Sequence, residues 1–292
     1  LMSLSMVARD HNYVKPIMLK SHMIDIKEGR HPLQELFTNY VPNDTHSGGD
    51  GSLIKIFSGP NACGKTVYMK QIALIVYMAH IGCYVPATAA KIGVITNILT
   101  QVPSIESTCY NASSFLIDLR QINNILYSST PNSLIIMDEF GRGTNEIDGL
   151  ALMASTLKSF IDRRNYCPHI FIATHMHRIC TILTPDPIFE LQQFEYIFNE
   201  DRELIFLYKI IPGCVVKSFA HEVAKNVEVF RDIIEDAEDI FESIKRGEIP
   251  KSKPDEDGRS AMQRIIDAAK NDETELKKLV EDIITRKSNR KS

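Results

Sequence analysis

Short apolar runs alternate with segments of helical periodicity along most of this chain. The runs are rich in Ile, Val and Phe and indicate buried strands, while the segments between them place apolar residues at helical spacing. Strands that alternate with helices favour an α/β fold with a mostly parallel central sheet. The predicted strands are 52–58, 90–99, 133–137 and 170–173, and the predicted helices are 67–85, 113–125, 150–161, 218–229, 232–245 and 260–286.

The pattern changes between residues 189 and 210, where apolar and polar residues alternate in two runs separated by Asn199-Glu200-Asp201. This alternation predicts an antiparallel hairpin at the edge of the sheet, which Pro212-Gly213 ends. Further along, the stretch 251–258 is dominated by charged residues and indicates a linker or a flexible loop.

The strongest chemical signal lies between the first predicted strand and the helix that follows it. Residues 59–66 have the spacing Gly, four residues, Gly-Lys-Thr that wraps the phosphates of a nucleotide, and a strand–loop–helix context is what this motif requires. Backbone N–H groups and the helix N-terminus would hold the phosphates, Lys65 would meet the β- and γ-phosphates, and the Thr66 hydroxyl would ligate Mg²⁺. The predicted phosphate loop consists of Gly59, Pro60, Asn61, Ala62, Cys63, Gly64, Lys65 and Thr66.

Two carboxylates follow the strand 133–137 directly. We predict that Asp138 holds Mg²⁺ through water, and that Glu139 orients and polarises the water that attacks the γ-phosphate. A pair of surface acids is the alternative interpretation, which the phosphate loop upstream disfavours. His175 follows the next strand and is either a sensor of the γ-phosphate or a structural histidine.

Two more residues each allow two interpretations. Ser113 fits the cap position of a helix, where its hydroxyl would satisfy an orphan N–H, but the same geometry presents a helix N-terminus to an anion. Tyr40 could stack on adenine or pack at a strand edge.

Bulk properties narrow the class of protein. The chain has 292 residues, of which 44% are hydrophobic and 24% charged, which suits one sizeable soluble domain with a satellite element. The net charge of −4 gives no general electrostatic argument for nucleic-acid binding, although a sum hides local basic patches. The six cysteines form no Cys-x-x-Cys pair, so we expect neither a disulfide framework nor a zinc site. We therefore expect the protein to work in a reducing compartment, the cytosol or the nucleus. We expect no membrane span and no secretory signal.

These motifs, in this order, resemble the carboxy-terminal ATPase domain of the MutS family, the ABC-type ATPases that clamp DNA. The resemblance rests on residues 59–66, 113–115, 138–145 and 173–175, and it covers roughly residues 30–230. It implies an α/β P-loop (ABC-type) ATPase that uses ATP and Mg²⁺, followed by a carboxy-terminal helical dimerisation element. The expected parts are 1–30, the end of a helical core or connector from a missing upstream region; 31–212, the ATPase domain; 213–247, a helix-turn-helix dimerisation element; and 248–292, a charged linker and terminal helix.

The resemblance also implies a site shared between two subunits. Ser113 would reach the γ-phosphate bound by the partner, His175 would be a switch histidine, and Asn145 and Asp148 would lie in a loop that crosses the interface. Two positions depart from the pattern of the family. The first is Cys63, which stands where the family usually has Ser or Met, in a loop that binds phosphate mainly through its backbone. The second is Asn111, which stands where the family prefers Gly; Asn can adopt the left-handed turn that Gly adopts.

Within the family the chain resembles the meiotic branch in residues 31–33, 40–43, 48–50, 138–140, 148–152 and 167–171. Mismatch-repair members of the family more often have Leu or Ile where this chain has Phe140. This likeness implies a chromosomal protein of the nucleus that pairs with a second MutS-family subunit, MutS homologue four. The pair would clamp double-stranded or branched DNA such as Holliday junctions, mainly through upstream domains, and promote crossing over. The alternatives are a mismatch-recognition MutS protein, another ABC- or SMC-like ATPase, and a nucleotide-gated scaffold.

Overall fold

The computed structural model describes residues 2–60, 62–102, 113–176, 178–199, 204–215, 219–226 and 231–248. Asn61, Asn111, Ser218 and residues 249–292 of the predicted tail lie outside these ranges. The chain divides into two compact units, Leu1–Val229 and Phe230–Ser292. No helix in the described ranges is long and apolar enough to span a membrane.

The first unit contains all the described strands and six of the described helices. The strands are β1 (Ile17–Leu19), β2 (Met23–Gly29), β3 (Asn43–Gly48), β4 (Ile54–Ser58), β5 (Ala89–Gly93), β6 (Asn97–Gln101), β7 (Ser133–Asp138), β8 (His169–Thr174), β9 (Phe189–Phe198) and β10 (Leu204–Pro212). The helices are α1 (Met2–Asp10), α2 (Lys65–His80), α3 (Ser114–Ser128), α4 (Glu146–Ile161), α5 (Ile179–Ile182) and α6 (Ala220–Asn226), with α7 (Arg231–Lys245) in the second unit.

A six-stranded central sheet has the order β10-β9-β4-β8-β7-β6. The pairs β4–β8, β4–β9, β7–β8 and β6–β7 are parallel, and β9 and β10 form the antiparallel hairpin at one edge. The prediction of an α/β fold with a mostly parallel sheet is therefore confirmed, and so is the edge hairpin.

Every residue of β4, β7 and β8 is buried, which explains their nearly continuous apolar sequences. Successive residues point to opposite faces, so the sheet contributes to two cores. One core packs Phe57, Leu134 and Phe171 with α2, and the other packs Ile56 and Ile135 with residues of α3 and α4.

A second, four-stranded sheet has the order β1-β5-β2-β3. This sheet corrects the prediction of one strand over 90–99, because the structure has β5 in this sheet and β6 in the central sheet. Gly93 is the last residue of β5, and a Cβ atom there would lie 2.2 Å from the Ser21 carbonyl oxygen. A glycine is therefore required where β5 ends, and a glycine inside an apolar run is a local sign of a break that the prediction of one strand did not use.

The segment 1–30, expected to be the end of a helical core or connector, contains α1 and then two strands. β2 pairs with β3 and β5, and β1 pairs with β5. The helix predicted over 67–85 is α2, which ends at His80, because the chain turns through Gly82 at φ +81°. The helix predicted over 150–161 begins earlier, at Glu146, because the Asn145 Oδ1 atom accepts from the Ile147 N–H at 2.9 Å.

A disulfide joins Cys180 and Cys214, so the expectation of no disulfide framework was wrong for this pair. The two residues are 34 positions apart, and the fold brings the α5 segment beside the segment that follows β10. Cys63, Cys83 and Cys167 are buried free thiols.

Candidate nucleotide site

Three chain segments meet at the carboxyl ends of the central strands, because β4, β8 and β7 are neighbours and run parallel. The phosphate loop follows β4, Asp138 and Glu139 lie at the end of β7, and His175 follows β8. The carboxyl ends of parallel strands are where open α/β sheets bind ligands. The predicted chemistry is therefore assembled by the strand order of the sheet.

The phosphate loop is a tight turn that enters α2. Ala62 and Gly64 have φ values of +66° and +99°, and Gly64 is the N-cap of the helix. Lys65 is buried, and its Nζ atom donates to the carbonyl oxygens of Gly59 and Pro60, each at 2.7 Å. The side chain thus crosses back over the loop, where its ammonium group would face a bound phosphate.

Thr66 and Asp138 join the loop to the end of β7. The Thr66 Oγ1 atom donates to Asp138 Oδ2 at 2.7 Å, and Asp138 Oδ1 is buried with no hydrogen-bond partner among the described residues. Burial raises the pKa of Asp138. A hydroxyl beside a carboxylate with an unsatisfied oxygen fits Mg²⁺, a cation that prefers few protein ligands and keeps water and phosphate oxygens. The described residues contain no group of three or more His, Cys, Asp or Glu side chains that could hold a metal ion.

Glu139 has a left-handed backbone, with φ +55°, and its N–H donates to the Ala173 carbonyl of β8 at 2.9 Å. Its side chain is 14% exposed. The Oε2 atom accepts from Arg142 Nη1 at 2.7 Å, and the Oε1 atom lies 3.9 Å from His175 Nδ1. Arg142 was not among the predicted site residues, although its spacing three residues after Glu139 is compatible with such a pair.

Two cavities adjoin these groups. The smaller, of about 210 Å³, is lined by the loop and by the carboxylate: Ala62, Gly64, Lys65, Thr66, Val67 and Glu139. The larger, of about 620 Å³, has Gly59, Pro60, Arg142, His175 and Met176 among its lining residues, together with part of α6.

Tyr40 lies on the other side of Gly64, in a cavity of about 260 Å³ that Val41, Val67 and Tyr208 also line. The Tyr40 hydroxyl donates to Gln71 Oε1 at 2.6 Å, so the ring is held in place from α2. Tyr208 faces Tyr40's cavity from β10 and has φ +55°. Tyr208 was not among the predicted site residues, because an aromatic residue in an alternating strand is ordinary.

Ser113 caps α3, since its Oγ atom accepts from the Leu116 N–H at 3.3 Å. It lines none of the three cavities described above. Asn145 caps α4, and Asp148 lies in its first turn.

The sequence of the chain matches known proteins over the region that contains the phosphate loop, Asp138, Glu139 and His175. A family model described as MutS domain V matches residues 55–245. The chain belongs to the MutS family. It is 35% identical over 253 residues to the DNA mismatch repair protein MutS of Caldicellulosiruptor saccharolyticus, covering 85% of this chain and 29% of that protein. It is 37% identical over 251 residues to the DNA mismatch repair protein MutS of Clostridioides difficile, covering 85% and 26%.

A third relative is MutS protein homolog 5 of Caenorhabditis elegans, which is 33% identical over 294 residues, covering 98% of this chain and 22% of that protein. The chain thus spans only 22–29% of the length of these MutS relatives. The predicted resemblance to the MutS ATPase domain is confirmed. MutS-family proteins are ATPases that use ATP and Mg²⁺, and the residues at the end of the sheet fit both.

Proposed function

We propose that this chain binds and hydrolyses ATP as the ATPase domain of a MutS-family DNA clamp. The observation that supports this proposal best is the meeting of Lys65, the Thr66–Asp138 pair and Glu139 around one cavity at the end of the sheet. Bound Mg²⁺ would neutralise phosphate charge and orient the phosphate oxygens.

The residues of the chain have separate tasks in this proposal. Lys65 exchanges the carbonyl oxygens of Gly59 and Pro60 for phosphate oxygens, and Thr66 and Asp138 hold the metal ion. Glu139 accepts a hydrogen bond from the attacking water through its Oε1 atom, which lies 3.9 Å from His175 Nδ1, beyond hydrogen-bond distance. Positioning and charge neutralisation do most of the work, as in other phosphoryl transfers.

The base would occupy the cavity between Tyr40 and Tyr208. Both rings line it, and it adjoins Gly64 at the start of α2, so a nucleotide with phosphates in the loop could place its base there. Aromatic walls suit a planar base.

We further propose a dimer in which Ser113 reaches the nucleotide of the partner. Ser113 is exposed at the N-terminus of α3, as a contact to a second subunit requires. The region 213–247 would contact the partner, and α7 presents Ile233, Ile240 and Ile244 with exposed side chains. Upstream domains would contact DNA, and residues 1–30 would connect to them.

The biological assignment that we propose is the meiotic one: MutS homologue five, paired with MutS homologue four on Holliday junctions in the nucleus. The match to MutS protein homolog 5 of C. elegans covers 98% of the chain and favours this assignment, as does Phe140. A mismatch-repair MutS protein is the second candidate, because the bacterial relatives are 35–37% identical to this chain.

Nucleotide binding tests the site. We expect the chain to bind a fluorescent ATP analogue with Mg²⁺, and Lys65→Ala to abolish this binding because it removes the ammonium group that faces the phosphates. Equal affinity in the two proteins would contradict the site.

Light scattering of Glu139→Ala with ATP and Mg²⁺ tests the dimer. A dimer that forms only with a candidate partner chain supports the shared site, and a monomer under all conditions contradicts it.

DNA binding separates the two biological candidates. The full-length protein, mixed with its partner, should prefer a four-way junction over a mismatched duplex of equal length. The opposite preference would support the mismatch-repair candidate.

A further inference from the structure

Arg142 contacts the carboxylate to which we assign the water-activating role. Its Nη1 atom donates to Glu139 Oε2 at 2.7 Å, and its backbone N–H donates to the Glu139 carbonyl at 3.3 Å, so one short turn brings the two side chains together. The arginine side chain is 64% exposed, whereas that of Glu139 is 14% exposed. The guanidinium group keeps its charge at every physiological pH.

This contact makes the two oxygens of Glu139 unequal. Oε2 is occupied by the guanidinium group, and Oε1 lies 3.9 Å from His175 Nδ1, beyond hydrogen-bond distance. The backbone of Glu139 is fixed by its bond to Ala173 and by the turn. The remaining freedom is in the side-chain torsions, and these are what the Arg142 contact restricts.

The two side chains line different cavities. Glu139 lines the 210 Å³ cavity together with Lys65 and Thr66, while Arg142 lines the 620 Å³ cavity. Arg142 therefore pairs with Glu139 from the side of the larger cavity, and Glu139 remains a lining residue of the phosphate loop cavity.

We propose that Arg142 is a positioning residue, which holds the Glu139 carboxylate towards the phosphate loop so that Oε1 can accept a hydrogen bond from water. This inference rests on the proposed function, in which Glu139 activates that water. The guanidinium group touches neither the water nor the phosphate in this role; it fixes the rotamer of the group that does. A general base that is held in place needs no reorientation when ATP arrives.

The test is steady-state ATP hydrolysis by Arg142→Gln and Arg142→Lys in the full-length protein. We expect Arg142→Gln to lower kcat by roughly 3- to 30-fold, since a small misplacement of a catalytic group can cost up to about 100-fold. KM for ATP should stay within about twofold of wild type. Arg142→Lys should recover part of the loss, because it retains a cation and a donor but lacks the planar fork.

Arg164→Gln is the matched control. Arg164 is 59% exposed and pairs with Asp186, which is 17% exposed, so this variant breaks a similarly exposed ion pair that lines none of the three cavities. We expect it to leave kcat unchanged. Thermal melting of every variant checks that the protein is folded.

A double-mutant cycle tests whether Arg142 acts through Glu139. If it does, Glu139→Gln and the double variant Glu139→Gln/Arg142→Gln should hydrolyse ATP at the same residual rate. Losses that multiply, or an unchanged or raised kcat in Arg142→Gln, would overturn the inference. If instead Lys65→Ala hydrolyses ATP as fast as wild type, the proposed function itself fails, and the role of Arg142 fails with it.

Discussion

Replacing Thr66 with Val removes one hydroxyl from the centre of the site and keeps the shape of the side chain. The Thr66 Oγ1 atom donates to Asp138 Oδ2 at 2.7 Å, and Asp138 is 3% exposed. Without it, both oxygens of a buried carboxylate lack a partner, because Oδ1 already has none among the described residues. Loss of a hydrogen bond to a buried charged group costs about 1.5–3 kcal/mol.

We therefore expect Thr66→Val to lower the free energy of unfolding of the nucleotide-free chain by about 1.5–3 kcal/mol, measured by urea denaturation. Thr66→Ser keeps the hydroxyl and should lose less than about 1 kcal/mol. In wild type, ATP with Mg²⁺ should raise Tm more than ATP with EDTA does. The valine variant should lose most of this difference, because it lacks one of the proposed metal ligands. A valine variant as stable as the serine variant, with an unchanged Mg²⁺-dependent gain in Tm, would show that the Thr66 hydroxyl neither stabilises Asp138 nor binds the metal ion.

Three further predictions concern the pocket for the base, acid stability and the disulfide. Tyr208→Ala should weaken ATP binding by roughly 2- to 10-fold because it removes one aromatic wall of the 260 Å³ cavity. Tyr208→Phe keeps the ring and should bind ATP as wild type does. Equal affinities of wild type and Tyr208→Ala in titrations with a fluorescent analogue would exclude a base in this cavity. Burial, and then the neighbouring His22, lowers the pKa of His169 to about 3. The unfolded chain therefore binds this proton first, so between pH 6.5 and 5 wild type should lose roughly 1.5–2 kcal/mol more stability than His169→Gln loses; parallel pH profiles would contradict this. Cys180→Ser should lower the free energy of unfolding by about 3–4 kcal/mol, since the bond to Cys214 closes a loop of 34 residues, and wild type in reducing agent should match it; a variant as stable as the oxidised protein would show that the bond contributes nothing.

The sequence was most informative where the chemistry is local. The phosphate loop is eight consecutive residues between a strand and a helix, so its spacing alone identifies it. Asp138 and Glu139 follow an apolar run directly, and the parallel order β4-β8-β7 then brings them to the loop. Local residues also give the caps at Ser113 and Asn145, although only the first was predicted.

The features that the sequence did not show depend on distant contacts. The strand predicted over 90–99 is rich in β-branched residues, and it divides into β5 and β6 because the two halves pair with strands of different sheets. Tyr208 becomes a wall of a cavity because the edge hairpin brings it beside Gly64. The Cys180–Cys214 pair depends in the same way on the return of the chain after β10.

Hydrolysis of ATP through Glu139 is tested by measuring bound ATP and released phosphate on the same samples of wild type and Glu139→Ala. Both proteins should bind ATP with Mg²⁺ equally, and only wild type should release phosphate at a measurable rate, since Glu139 activates the water and makes no contact that binding requires. Equal phosphate release from the two proteins would contradict the assignment of Glu139, and with it the proposed mechanism of hydrolysis.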